Sequence, residues 1–88
     1  MFRMWCKLFS ENRLIADMTI ENPAPVNRTK KVFDAIDEVC RAWDLSKPIW
    51  LETNIRDFKR HGKTRFNQDC FTERIEFDFL ELQVIEED

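Results

Sequence analysis

The densest group of side chains that could do chemistry lies between positions 56 and 65, where Arg56, Lys59, Arg60, Lys63 and Arg65 stand against a single acid, Asp57. Cations at this density can neutralise phosphates, and the backbone around Gly62 can approach a ligand closely. The same cations suit a plainer role, because positive side chains near a helix C-terminus offset its dipole and form a solvated face. Both readings stay open at this stage. Gly62-Lys63-Thr64 matches the end of a phosphate-binding loop, but the first glycine of such a loop would fall at position 57, which is Asp. No nucleotide site is implied.

The second group is aromatic. Trp5 sits between Arg3 and Lys7 in an alternating segment, and Trp50 lies in a short apolar run. Both are expected on the outer face of a sheet, where exposed aromatics stack bases or anchor a protein partner. Large aromatic patches are uncommon on monomers, so the alternative is that the segment 63–73 or another subunit covers them. A covering subunit would make this face a dimer interface.

Other chemistry has less to build on. His61 is the only histidine, and no Ser or Cys stands at a local spacing that would make it a catalytic base. Asp34, Asp37 and Glu38 fall on the outer side of an amphipathic pattern, where carboxylates serve solubility. Cys6, Cys40 and Cys70 are odd in number and far apart, which suggests neither a disulfide framework nor a CxxC pair. With His61 they lack the short spacings of zinc modules. No catalytic residue, metal or cofactor is therefore expected.

Any of these side chains must be positioned by a fold that the periodicities outline. Phe2, Met4, Cys6 and Leu8 alternate with Arg3, Trp5 and Lys7, the period of a half-buried strand. Leu14, Ala16, Met18 and Ile20 repeat the pattern after a turn at Ser10-Glu11-Asn12, so two antiparallel strands open the chain. Asn22-Pro23-Ala24-Pro25 ends the ladder, since proline has no amide to donate.

From 28 to 43, Val32, Phe33, Ile36, Val39, Cys40 and Trp43 gather on one helical stripe, with Asn27 or Thr29 as cap and Asp37–Arg41 as a favourable pair. Pro48-Ile49-Trp50-Leu51 reads as a third strand. Thr53 or Asn54 then caps a short helix through His61, with Ile55 and Phe58 facing inward and Gly62 in the left-handed position after it. Residues 63–73 fit either a helical turn or a loop. Ile75 to Ile85 reads as a long last strand whose apolar parity changes between Phe79 and Leu80, through a β-bulge or through burial on opposite sides at its two ends.

These elements imply an α+β fold over residues 1–88: a mainly antiparallel four-stranded sheet with one long helix on one face and a short second helix, in the order β-β-α-β-(α)-β. The length suits one domain. A hydrophobic content of 43%, with eight Phe and three Trp, supports a real core. The apolar runs are far too short to span a bilayer, and no signal-peptide pattern follows Arg3 and Lys7, which points to the cytoplasm. The formal net charge of −3 hides an imbalance: the basic segment at 56–65 is followed, from Glu73 to Asp88, by seven acids and one Arg.

Met4-Trp5-Cys6-Lys7, Lys47-Pro48-Ile49-Trp50-Leu51 and Phe58-Lys59-Arg60-His61 together resemble short bacterial open reading frames of uncharacterised function. That resemblance implies a cytosolic bacterial origin and no particular activity. By elimination, the expected function is a small non-enzymatic interaction or regulatory module. Its partner would be another protein or a second copy, through Trp5 and Trp50. The alternative is nucleic acid, bound through the basic segment; neither membrane nor metal is expected.

Overall fold

The computed structural model describes residues 1–87. Strand β1 (Phe2–Ser10) pairs antiparallel with β2 (Arg13–Asn22) through a two-residue turn in which Glu11 and Asn12 both have positive φ, at 52° and 64°. That geometry matches the right-handed twist of the flanking strands. Asn22 then closes a local turn, its side-chain oxygen accepting from the Ala24 amide at 2.9 Å, and the two prolines carry the chain off the sheet.

Helix α1 (Arg28–Ala42) starts at Asn27, whose side chain accepts from the Lys30 amide at 2.8 Å. It buries Val32, Ala35, Ile36, Val39 and Cys40. Phe33, expected in the same stripe, is instead 48% exposed. It lies at the rim of the stripe, where a helix lying on a sheet turns toward water. Asp37 reaches Lys47 at 3.1 Å instead of Arg41, and the four-residue ion pair that does form joins Lys30 to Asp34 at 3.0 Å.

The expected strand at Pro48–Leu51 does not form. Pro48 has no amide to give, the Leu51 amide is taken by the Asn54 side chain at 3.0 Å, and among the described residues only the Ile49 amide reaches across, to the Cys70 carbonyl at 2.6 Å. One bond does not make a ladder. Helix α2 (Glu52–His61) follows, ending on Gly62 at φ 65°. Asn54 is not its N-cap but lies inside the first turn, buried. It accepts from Leu51 and donates to Thr64 Oγ1 at 2.9 Å and to the Arg65 carbonyl at 2.8 Å. Phe58 is buried as expected; Ile55 is 42% exposed.

The third strand lies later, within the segment whose sequence pattern was ambiguous: β3 (Lys63–Phe66), followed by a 3-10 turn (Gln68–Cys70). β4 (Phe79–Glu86) is shorter than its apolar pattern suggested. Residues 75–78 are loop, held by the Ile75 amide on Gln68 Oε1 at 2.9 Å and the Asp78 amide on the Phe9 carbonyl at 2.8 Å. Phe77 drops into the core from this loop and meets Phe71 edge-on at 5.8 Å, whereas Phe79 stacks on Phe9 at 5.1 Å. The parity change is therefore a loop-to-strand junction, not a bulge.

The result is the expected α+β architecture: a four-stranded, wholly antiparallel sheet in the order β2-β1-β4-β3, with the long helix and the short one. Met4, Cys6, Leu8, Ile20, Leu80, Leu82 and Phe66 on the inner face pack with Val32, Ile36, Val39 and Phe58 of the helices into one core.

Candidate functional site

Trp50 is held by three aromatic neighbours. Its ring meets Phe66 of β3 at 4.9 Å, Phe58 of α2 at 5.4 Å and Phe33 of α1 at 6.1 Å, each edge-on. Such T-shaped contacts place the positive ring edge on a negative face and fix the indole rigidly. Phe66 and Phe58 are core residues, whereas Phe33 reaches water, so this cluster runs from the interior to the surface.

At the surface it opens into a groove of about 330 Å³ between α1 and α2, floored by Val32, Phe33, Trp50, Ile55 and Phe58. Thr29 and two cations, Arg28 and Lys59, complete its lining, which holds no acid among the described residues. The Arg28 guanidinium lies over the Phe58 ring at 5.2 Å while its Nε holds the Glu87 carboxylate at 2.9 Å. Lys59 makes no ion pair among the described residues. Rigid aromatic anchors around an apolar hollow, with charge at the rim, form an arrangement suited to receiving an apolar side chain from another molecule.

Trp5 is elsewhere. It stands on the outer sheet face, donating from Nε1 to Asp17 at 2.8 Å, with the Lys7 ammonium 3.9 Å from its ring centre. Trp5 and Trp50 therefore do not share a surface. The neighbourhood of Trp5 is a self-contained polar network on the face opposite the helices. Lys7 reaches Glu81 at 2.6 Å and Gln83 at 3.0 Å, and Arg65 reaches the other oxygen of Glu81 at 2.9 Å while its guanidinium lies over Phe79 at 4.5 Å.

Although no helix covers this face, Lys7 is only 6% and Glu81 only 3% exposed, because the long side chains beside them lie across the pair. Burial pushes the Glu81 carboxyl up, but the hydrogen bonds from Lys7 and Arg65, and their charges, outweigh it and hold the group below its ordinary value.

The basic segment is divided by the same geometry. Arg65 is committed to Glu81, and Lys63, its neighbour on β3, faces the same side of the sheet. Arg56, Lys59 and Arg60 are exposed on α2. Only Lys59 lines the groove with Trp50, while Lys63 and Arg65 come together in a separate hollow beside His61 and Asp57.

The cysteines are free and buried. Burial, helped by the nearby Cys40 and Glu38, pushes the Cys6 thiol up to about 12, and burial also raises Cys40 and Cys70, so none is poised as a thiolate. Among the described residues no three His, Cys, Asp or Glu side chains converge to hold a metal, and no helix is long and apolar enough to cross a membrane.

Phe33 and Ile55 escaped the sequence reading as site residues because each was assigned inward. The signal available was Phe33's place at the edge of an apolar stripe already centred on Ile36 and Val39. Comparison of the chain with family models, with curated proteins and with solved structures finds no match.

Proposed function

We propose that this protein is a small non-enzymatic interaction module whose working surface is the groove between α1 and α2. The observation that carries the reading is the rigid, open aromatic floor: Phe33 and Ile55 stand exposed beside Trp50 in a hollow large enough for one or two apolar side chains. An apolar surface left uncovered costs solubility, and its usual explanation is a partner. A bacterial cytosolic setting is part of the same proposal. The outer sheet face is the weaker candidate for that partner, because the rings of Trp5 and Phe79 already carry Lys7 and Arg65.

The test is selection of binding peptides from a random library displayed on phage, repeated on a Phe33→Ser/Ile55→Ser double variant. Phe33 and Ile55 are about half exposed and Phe33 also meets the Trp50 ring, so the variant should lose on the order of 1–2 kcal/mol while staying folded, which a thermal melt and the dispersion of its NMR spectrum check. Peptides that bind the parent should lose about tenfold or more in affinity for the variant, as expected when the central apolar anchors of an interface are cut. Peptides that bind both proteins equally would place the working surface elsewhere.

A second reading, binding of nucleic acid through α2 and the start of β3, draws support from Arg56, Lys59, Arg60 and Lys63, which have no ion-pair partner among the described residues. It requires affinity for DNA or RNA that falls steeply with salt. The engagement of Arg65 by Glu81 and the net charge of −3 weigh against it.

A further inference from the structure

We infer that the occupant of the α1–α2 groove is an acidic amphipathic segment of a partner protein, one that seats an apolar side chain against Trp50 and sets carboxylates on Arg28 and Lys59. The inference rests on the groove being the working surface. Its own support is charge. The protein as a whole is acidic, at −3, yet among the described residues the charged side chains lining this hollow, Arg28 and Lys59, are both cations.

Arg28 already shows what the rim accepts. Its Nε holds the Glu87 carboxylate at 2.9 Å, and both side chains are close to half exposed. The terminal nitrogens of the same guanidinium make no hydrogen bond among the described residues, which leaves donors for a second carboxylate. Lys59 supplies a second positive charge on the α2 side of the hollow. The two cations therefore flank the aromatic floor from different helices. A segment that places apolar side chains between acids satisfies floor and rim together. A basic segment would bring its own cations against them, and a purely apolar one would leave them unanswered.

The alternative occupant is a second copy of the chain, which has acids of its own. It is an outcome the test reads.

The experiment is an NMR titration of the labelled full chain with three synthetic helical peptides. One carries Leu and Phe on one face flanked by Glu, the second has Lys in place of each Glu, and the third has Gln there. The acidic peptide should shift the Trp50 indole and the amides around Phe33 and Ile55. It should bind about three- to fivefold more tightly than the Lys peptide, a difference that comes chiefly from Lys59, since Arg28 already shares its charge with Glu87. Added salt should narrow that gap, and Lys59→Gln should reduce it while leaving the melting temperature near that of the parent.

Equal binding of all three peptides in the groove would overturn the acidic partner and leave the groove reading standing. If none of the three moved the groove's signals, the groove reading itself would fall. A concentration-dependent dimer in light scattering that disappears in Phe33→Ser would assign the groove to a second copy and overturn the inference.

Discussion

Glu81 is where the chemistry of single residues is most concentrated, because one carboxylate meets Lys7 at 2.6 Å and Arg65 at 2.9 Å on a sheet face that no helix covers. Its partners hold its acidity above that of a free glutamate, so the unfolded chain binds the proton more readily than the folded one. The stabilisation from this site is therefore complete above the unfolded value of about 4.3 and is lost as pH falls through the lower folded value.

Glu81→Leu should cost on the order of 3 kcal/mol at pH 7, at the low end for a broken buried pair because Lys7 can still turn to water and to Gln83. Denaturant titrations of parent and variant at neutral pH, pH 4 and pH 3 check this: the difference should shrink as pH falls. A difference unchanged down to pH 3 would mean that the pair does not supply the stabilisation. Lys7 was legible as a polar-side residue from its alternation with Cys6 and Leu8. Its partner was not, since Glu81 lies at the other end of the chain and only the β1–β4 register brings them opposite one another.

Among the elements, β1, β2 and α1 were read correctly from a long period, whereas the start of β4 and the elements decided by distant hydrogen bonds were not. β1 and β2 alternate over many residues, and α1 carries its stripe through its whole length, so local pattern and tertiary packing agree. Pro48–Leu51 has strand-like composition, but strands need a neighbour, and the one available edge of β4 goes to β3. Lys63–Phe66 alternates over only four residues, too few to separate it from a turn.

The end of α1 carries a further sign of local compromise. Asp44 adopts φ 53° there, while the Leu45 amide closes on the Cys40 carbonyl at 2.8 Å. That is the left-handed closing position where glycine is at ease and a β-carbon is not. Asp44→Gly should therefore stabilise the protein by about 0.5–1 kcal/mol, the relief of the β-carbon clash less the freedom glycine adds to the unfolded chain. Thermal melts should show a midpoint higher by a few degrees. An unchanged or lower midpoint would mean that the Asp44 side chain contributes more than its backbone costs.

At the scale of the whole molecule, the division between the two faces decides how function is read. The outer face is closed upon itself: its aromatic rings are capped by the protein's own cations, and its buried charges are paired. The helical side has an opening where α1 and α2 part around Trp50. Sequence singled out Trp50 and Lys59 by type, but it could not join them, because the packing angle between the helices leaves no mark on either helix alone. It hid Phe33 and Ile55 for the same reason, since an apolar residue at the rim of a stripe looks the same whether the next element covers it or stops short.

The most direct measurement of the central claim uses the tryptophans as reporters, Trp50 in the groove and Trp5 on the opposite face. In an NMR spectrum of the protein with a peptide selected from the library, the Trp50 indole should shift and the Trp5 indole should stay in place. A shift of Trp5 with Trp50 unmoved would put the binding surface on the outer sheet and contradict the account.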